Sequence, residues 1–200
     1  MHLFSKIVNT IEDYRLGIRA GGTAQTHKPG AVYYASISHK RTREILDRLK
    51  FSMSDEFIDI GCGKGRVLAI ASTYSVGTIV GVEYEPSLAK LARVNTARLE
   101  HPRISVWQGA AEDFDYSKIT VAYAFNPVEP EILDLILAKI ERDLAASSTA
   151  GAFRIVYVME SPAQRAVFEA HSWLQRYDSF TNADGHAISF YRSIISGSFN

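Results

Sequence analysis

The segment "DIGCGKG", residues 59–65, follows an apolar run and carries three glycines at alternate positions. Glycines in this place allow a tight turn, a close approach of the backbone to a ligand and close packing of the next helix. A helix that starts here directs its unpaired N–H groups toward the same point. Asp59 is a carboxylate inside the preceding strand, where it needs a cationic or N–H partner. The segment therefore predicts a ligand-binding loop between a strand and a helix.

Strands and helices alternate around this loop. The predicted strands cover residues 57–60, 78–84, 104–108, 120–125 and 152–159. The predicted helices between and after them cover residues 65–74, 86–100, 130–145 and 162–171. Such alternation implies crossover connections and a mainly parallel sheet, and the nearly all-apolar strands indicate that both faces are covered.

The C-terminal stretch, residues 172–193, departs from the alternation because its two predicted strands are joined by a loop alone. Strands joined in this way pair antiparallel. We therefore expect an α/β fold, a three-layer, open, mostly parallel seven-stranded sheet with an antiparallel C-terminal hairpin strand and additional N-terminal helices.

The N-terminal quarter of the chain predicts two helices and a loop. Residues 3–16 favour a helix with an apolar face, and residues 36–50 favour a second helix. Residues 20–31 are rich in glycine, threonine and proline, which is typical of a loop. The apolar positions of the two helices are Leu3, Ile7, Ile11 and Tyr14 in the first and Ile45, Leu46 and Leu49 in the second. We expect one domain over residues 1–200, with a helical or lid-forming extension at 1–50 and the Rossmann-like core at 51–200.

Composition excludes several classes of protein. The 200 residues are 46% hydrophobic and 22% charged, with a formal net charge of zero, so the overall field favours neither a nucleic-acid nor a membrane partner. A single cysteine rules out an intramolecular disulfide and a multi-cysteine metal site. We expect no bound metal, because His27, His171 and His186 lack metal-ligand spacing. Without a signal-peptide pattern or a long uncharged run, a cytoplasmic location is expected.

The spacing of the glycines narrows the ligand. A dinucleotide-binding loop, G-x-G-x-x-G counted from Gly61, places its last glycine at Arg66. Lys64 lies between glycines but lacks the Ser or Thr that follows it in a phosphate-binding loop. About twenty residues further on, Glu83 ends the second strand, where a carboxylate can accept hydrogen bonds from ribose hydroxyls. Tyr84 follows it and can pack against an adenine face.

Together, "FIDIGCGKGRVLAIA" (57–71) and "VGVEYEPSLAKLARVN" (80–95) resemble the first two motifs of the Rossmann-like (class I) S-adenosylmethionine-dependent methyltransferases. The resemblance covers roughly residues 55–127. It implies S-adenosylmethionine as the cofactor, with the loop around its methionine part and Glu83 at its ribose. The cofactor-binding residues that it implies up to this point are Asp59, Gly61, Cys62, Gly63, Gly65, Glu83 and Tyr84. Cys62 is interpreted as a small residue that fits the loop rather than as a nucleophile.

The third motif of that family departs from the usual pattern. The family form is an apolar strand followed by Gly-Asp-Ala, whereas "VWQGAAEDF" has Gly109 followed by two alanines. Ala110 stands where the adenine-binding aspartate is expected. Ala111 with Glu112 or the neighbouring Asp113 is therefore predicted to lie beside the adenine.

The acceptor side is predicted at "FNPVEP", after the fourth strand. Asn126 and Pro127 resemble the start of the Asn-Pro-Pro-aromatic motif of amino-group methyltransferases, although Val128 and Glu129 replace its last two residues. The resemblance implies that Asn126 both borders the cofactor and orients a nitrogen acceptor on a protein side chain or a small molecule rather than on a nucleic acid. The alternative interpretation is that Asn-Pro only ends a strand and opens a helix.

Two other features have open interpretations. Tyr33 and Tyr34 either form a lid over the cofactor or cover the core. The basic run "HKRTR" (39–43) is interpreted as a solvated helix face, with an acidic protein or RNA partner as the alternative. Two other functions compete with methyl transfer: a nicotinamide-dependent oxidoreductase, which Arg66 argues against, and a non-catalytic module that keeps the cofactor pocket.

Overall fold

The computed structural model describes residues 2–24, 34–35, 37–147 and 153–194. The helices are α1 (His2–Arg15), α2 (His39–Leu49), α3 (Arg66–Ala71), α4 (Pro86–Thr96), α5 (Pro130–Ala145) and α6 (Pro162–Ala170). The strands are β1 (Thr23–Ala24), β2 (Tyr34–Ala35), β3 (Glu56–Ile60), β4 (Thr78–Glu83), β5 (Ile104–Gln108), β6 (Val121–Phe125), β7 (Arg154–Val158), β8 (Leu174–Thr181) and β9 (Ala187–Ser193). A single 3₁₀ turn, Ala111–Asp113, follows β5.

Seven of these strands form one sheet in the order β5-β4-β3-β6-β7-β9-β8. Strands β3 to β7 pair parallel, and β9 runs antiparallel to both of its neighbours, β7 and β8. The predicted mostly parallel seven-stranded sheet with an antiparallel C-terminal hairpin is confirmed. Because β3 has β4 on one side and β6 on the other, the chain order reverses there, and ligands of such sheets bind at that point.

Both faces of the sheet are covered. Phe57 and Ile58 alternate along β3 and point to opposite faces, yet both are fully buried. One apolar cluster joins Ile58 to residues of α5 and α6, and the other joins Phe57 to residues of α2 and α3. The three-layer arrangement that the apolar strands predicted is thus present. No helix in the described part of the chain is long and apolar enough to cross a bilayer.

The N-terminal helix is oriented against its apolar pattern. Ile7, Ile11 and Tyr14 are 51%, 47% and 85% exposed, while Asp13 is buried. The inward face is polar because Asp13 forms an ion pair inside the protein, as described below. In contrast, α2 buries its apolar stripe as predicted.

The stretch predicted as a loop contains regular structure at its edges. β1 and β2 pair antiparallel, with Thr23 opposite Ala35 and Ala24 opposite Tyr34. Residues 25–33, which include Tyr33 and His27, lie outside the described residues, so the proposed tyrosine lid stays a prediction. The helix predicted at 65–74 is shorter than expected, because the Ser72 and Thr73 hydroxyls bond to carbonyl oxygens of its last turn.

Candidate cofactor and acceptor site

The glycine loop is fixed by its own backbone. The N–H groups of Gly61 and Cys62 both donate to the carbonyl oxygen of Val82 at 2.9 Å, and Gly65 N–H donates to Cys62 O at 2.8 Å. Gly61 and Gly65 have φ values of 77° and 83°, in the left-handed region that favours glycine. The loop therefore turns tightly at the end of β3, leans on β4 and leads straight into α3.

Gly61 is also required by a close contact. A Cβ atom at this position would lie 2.7 Å from the Cβ of Pro127, a distance that real side chains essentially never show. The predicted acceptor segment thus packs directly on the predicted cofactor loop, although 66 residues separate them in the chain. The structure brings these two predicted halves of the site together.

Cys62 fills a confined space behind the loop. It is 5% exposed, and a Cβ atom at Gly81 of β4 would lie 2.7 Å from its sulfur. Burial, followed by the nearby carboxylates Asp59 and Glu83, raises the pKa of the Cys62 thiol well above its ordinary value. Because the nucleophilic form of cysteine is the thiolate, this environment favours the interpretation as a small packing residue.

Asp59 is a buried carboxyl group in the middle of the sheet. It is 2% exposed, and the described residues form no hydrogen bond with its side chain. Burial, and then the charge of Glu83, raises the pKa of Asp59 well above its ordinary value. Tyr123 faces it in register from β6, and its buried hydroxyl also finds no hydrogen-bond partner among the described residues. Two buried polar groups on neighbouring strands therefore lack a hydrogen-bond partner among the described residues.

Glu83 is held by backbone donors at the end of β4. Its two oxygens accept one hydrogen bond each, from Gly63 N–H at 2.8 Å and from Glu85 N–H at 2.9 Å. Burial raises the pKa of Glu83 despite these two hydrogen bonds, which lower it. The backbone N–H of Tyr84 also lowers this pKa, and a carboxylate offers about four lone-pair sites, so Glu83 can accept a further donor. Neither Glu83 nor Asp59 forms an ion pair with a described residue, so two buried carboxylates lie beside the loop without a cation.

The predicted adenine side lies along the same edge. Tyr84 follows Glu83 and is 44% exposed. Gly109 N–H donates to Glu83 O at 3.0 Å, which brings the turn Ala111–Asp113 to the end of β4. Within that turn, Ala111 is buried, Glu112 is half-buried and Asp113 is exposed. Glu112 is thus the less exposed of the two acidic candidates, and the choice between them stays a prediction.

Asn126 has an unusual backbone and an internally bonded side chain. Its φ of 39° lies in the left-handed region, which asparagine tolerates better than most residues. Its Oδ1 accepts a hydrogen bond from Gln164 Nε2 at 2.8 Å and a long one from Tyr157 O–H at 3.4 Å. The assignment of oxygen and nitrogen is fixed by chemistry, since Gln164 Oε1 accepts from the backbone N–H of Ser161 at 2.9 Å. Gln164 therefore donates a hydrogen bond from its amide nitrogen, and the side-chain oxygen of Asn126 accepts it.

Arg66 has a role that the glycine count did not indicate. Its Nε and one terminal nitrogen donate to the two oxygens of Asp13 at 2.9 and 2.6 Å, and the other terminal nitrogen donates to Ile37 O at 2.9 Å. His39 Nε2 lies 2.7 Å from Asp13 Oδ1. Burial alone would raise the pKa of Asp13, but the hydrogen bonds from His39 and Arg66 outweigh it and hold that pKa below its ordinary value.

The residues that bond to Arg66 and to Asn126 lie far from them in the sequence, so no local pattern predicts these contacts. Gln164 is the exception, because Ser161 and Gln164 form a capping box, an S-x-x-Q pattern readable at the start of α6. That pattern predicts a helix start but not that the glutamine also holds Asn126.

The described histidines and the basic run that the sequence offered as further candidates do not belong to this site. The described residues contain no group of three or more His, Cys, Asp or Glu side chains that could hold a metal ion. His171 bonds to Asp134 at 3.0 Å. In the basic run 39–43, Lys40 is exposed, but His39 and Thr42 are buried, so the interpretation as a solvated face is wrong for these two residues.

The chain matches the model of a protein family described as a methyltransferase domain, over residues 52–187. A protein-lysine N-methyltransferase from Saccharolobus islandicus is 29% identical over 115 residues, which cover 56% of this chain and 70% of that one. A protein named as an uncharacterized methyltransferase from Schizosaccharomyces pombe is 39% identical over 59 residues, which cover 30% of this chain and 22% of that longer protein.

Among solved structures, an RNA methyltransferase from Salinibacter ruber in complex with S-adenosyl-L-homocysteine has the same fold. The TM-score is 0.61 at 18% identity, and the match covers 82% of this chain and 97% of that one. At this identity the likeness establishes the architecture of the sheet and its helices.

Proposed function

Because the chain belongs to the methyltransferase domain family, we propose that it transfers a methyl group from S-adenosylmethionine to the side-chain nitrogen of a lysine in a protein. The family membership sets aside the nicotinamide-dependent oxidoreductase. The choice of acceptor is supported by the Saccharolobus relative and by the contact of Pro127, the neighbour of Asn126, with the glycine loop.

The observation that carries the cofactor assignment is the pair of buried carboxyl groups, Asp59 and Glu83, without a cation among the described residues. S-adenosylmethionine supplies an electrophilic methyl group on a positively charged sulfur, and it also carries an ammonium group. Positive charge near Asp59 offsets the cost of burying its carboxylate. A carboxylate offers about four lone-pair sites, so Glu83 can still accept a hydrogen bond from the ribose hydroxyls.

The loop residues exclude water and fix position. Gly61, Cys62, Gly63 and Gly65 are held by the backbone hydrogen bonds described above and give the methionine part a rigid floor. Ala111 and Glu112 border the adenine side, with Tyr84 as an exposed ring beside them. A rigid site is valuable here because methyl transfer depends mainly on alignment of the reacting atoms.

Asn126 and Pro127 are assigned to the acceptor. The hydrogen bond from Gln164 to Asn126 Oδ1 is short, whereas the Tyr157 contact at 3.4 Å is long and weak. An N–H of the acceptor amine can replace Tyr157 at that oxygen and leave the Gln164 bond intact. The amine must be neutral to use its lone pair, and the extra proton leaves to water.

A protein acceptor fits the charge of the chain better than a nucleic acid does, since the net charge is zero. A cytoplasmic location stays a prediction. So does the division into an extension at 1–50 and a core at 51–200.

The test is transfer of a radioactive methyl group from labelled S-adenosylmethionine to cell-extract fractions that separate proteins, RNA and small molecules. We expect label in protein, followed by acid hydrolysis that yields methylated lysine. The matched control is Asn126→Ala, which should bind the cofactor in calorimetry and transfer the methyl group slowly.

Label in RNA or in small molecules alone would contradict the lysine assignment. If calorimetry shows tight cofactor binding but no fraction takes up label, the non-catalytic module is the better description. If the protein does not bind S-adenosylmethionine at all, the assignment of Asp59 and Glu83 is wrong.

A further inference from the structure

A cavity lies beside the glycine loop, next to α1 and the segment that follows α1. Its volume is about 590 Å³, which is in the range of small-molecule pockets. None of Asp59, Glu83 or Asn126 lines it, so it is distinct from the cofactor and acceptor site. Its walls are formed by α1, the segment after α1, the loop and the end of α4, through Thr10, Asp13, Tyr14, Gly17, Ile18, Arg19, Gly21, Lys64 and Arg98.

The charges around this cavity are unbalanced. Arg19, Lys64 and Arg98 bring three basic residues to its wall, and among the lining residues that the structure describes Asp13 is the one acidic residue. Asp13 already pairs with Arg66 inside the protein. A chain with zero net charge thus gathers three basic residues along one described wall, and this favours an anionic ligand.

A buried asparagine holds two of these cationic residues side by side. Asn95 of α4 is 3% exposed, and its Oδ1 accepts the backbone N–H of Arg19 at 3.0 Å. Its Nδ2 donates to the backbone oxygens of Lys64 at 2.8 Å and of Arg19 at 3.3 Å. One side chain therefore fixes the main chain at both positions, so the approach of Arg19 to the glycine loop is built into the fold.

Two of the cationic side chains are also anchored. Lys64 Nζ donates to Gly21 O at 2.6 Å, and a terminal nitrogen of Arg98 donates to Gly17 O at 3.2 Å. These bonds locate the charges along the cavity wall. A guanidinium has five donors, so the single bond of Arg98 to Gly17 does not exhaust it. Preorganised cations bind an anion with less loss of side-chain entropy than mobile ones.

We propose that this cavity binds a phosphate group, carried either by a free phosphorylated small molecule or by a single-stranded RNA. Phosphate fits better than carboxylate, because its larger charge and additional oxygens can engage three cations and the forks of two guanidinium groups. The proposal stands independently of the acceptor, since it concerns a different face of the loop.

The test is calorimetric titration of the whole chain at low salt with pyrophosphate, with adenosine monophosphate and with a ten-residue oligouridylate. We expect pyrophosphate binding that weakens at least tenfold in the double variant Arg19→Ala/Arg98→Ala. The matched control is Lys40→Ala/Arg176→Ala, which removes the same charge at exposed positions elsewhere and should bind as the wild type does. S-adenosylmethionine affinity, measured on the same samples, reports that the variants are folded.

A second measurement needs no substitution. In amide NMR spectra of the wild type, pyrophosphate should shift Gly17, Gly21 and the side-chain amide of Asn95. Tighter binding of the oligouridylate than of the two small ligands assigns the source to RNA, and the reverse assigns it to a small molecule.

The proposal is overturned if no phosphate compound binds, if the double variant binds as tightly as the control, or if the shifted amides lie elsewhere. It is also overturned if polyglutamate binds while the phosphate compounds do not. Loss of phosphate binding with intact cofactor binding separates this site from the proposed methyl transfer.

Discussion

Arg66 donates two hydrogen bonds to Asp13, a residue 53 positions earlier in the chain, and both side chains are buried. Arg66 is the first residue of α3 and directly follows the glycine loop. Asp13 belongs to α1, whose residues Ile7, Ile11 and Tyr14 face outward. Helix α1 is therefore joined to the residue after the glycine loop by a buried ion pair rather than by its predicted apolar face.

Asp13→Ala should destabilise the protein strongly. The substitution leaves the buried guanidinium of Arg66 without its carboxylate, and breaking a buried pair in this way costs about 3–5 kcal/mol. Chemical denaturation measures the free energy of unfolding. The control is Asp178→Ala, which removes the exposed partner of Arg48 and should cost about 0–1 kcal/mol. Equal losses of unfolding free energy in the two variants would show that the buried ion pair stabilises the protein no more than the exposed one.

The contribution of Asp13 should also depend on pH. Its pKa is lowered in the folded protein, so its ionised form is favoured by folding. The stabilisation is present above the ordinary aspartate value of about 4 and disappears as the pH falls through the lower folded value. Unfolding free energies of wild type and Asp13→Asn, measured from pH 6 down to pH 2, should converge at the acidic end. A constant gap over this range contradicts the assignment.

Asp59→Asn should have opposite effects on stability and on binding. Because the pKa of Asp59 is raised, the folded protein prefers the protonated form, and ionisation becomes a cost as the pH rises above the ordinary value. We expect a higher melting temperature of the ligand-free variant at pH 8. S-adenosylmethionine affinity should fall roughly 30-fold, about 2 kcal/mol for removal of a buried charge partner.

Calorimetric titration measures this affinity, with Glu100→Gln as a control that removes an exposed carboxylate. Unchanged affinity in Asp59→Asn would place the cationic groups of the cofactor elsewhere.

Gly61→Ala should disturb the contact between the loop and Pro127. The new methyl group meets the proline at 2.7 Å in a backbone conformation that already costs about 1–2 kcal/mol for a non-glycine residue. The matched control is Gly185→Ala, which has a similar φ of 82° but open space around the new atom. The difference in unfolding free energy between the two variants isolates the clash. If both lose the same stability, the contact with Pro127 is unimportant.

Gln164→Ala should slow methyl transfer without weakening the binding of the cofactor. Removal of the donor to Asn126 Oδ1 costs about 1 kcal/mol of orientation, or roughly fivefold in rate on the labelled protein fraction. S-adenosylmethionine affinity should stay within about twofold, since the lost hydrogen bond is neutral and involves neither Asp59 nor Glu83. Tyr157→Phe is the control, because its contact with the same oxygen is long. A larger loss of rate in Tyr157→Phe than in Gln164→Ala reverses the assigned roles.

The sequence predicts the central part of the fold well for a physical reason. Apolar strands, glycines and helix starts are local signals, and a parallel sheet brings the ends of β3 and β4 together without further information. Asp59 and Glu83 could therefore be placed beside one loop before the structure was known. The spacing of the glycines, with Arg66 at the position of the last glycine of a dinucleotide-binding loop, also distinguishes this loop from that class.

Long-range polar pairs could not be predicted in the same way. The apolar residues of α1 suggest a packing face, yet the ion pair of Asp13 with Arg66 turns that face outward. Likewise, the segment "FNPVEP" predicts a role for Asn126 but none for Gln164. Gln164 lies on α6, beyond the next strand of the chain. Such contacts are decided by tertiary geometry, and no periodicity in the chain encodes them.

The contact between Gly61 and Pro127 has a consequence for how this protein can vary among its relatives. The two positions share one small volume, so bulk gained at one must be given up at the other. A larger residue at position 61 should therefore be found only together with a residue smaller than proline at position 127. In this way the segment proposed to orient the acceptor is constrained by the loop proposed to hold the cofactor.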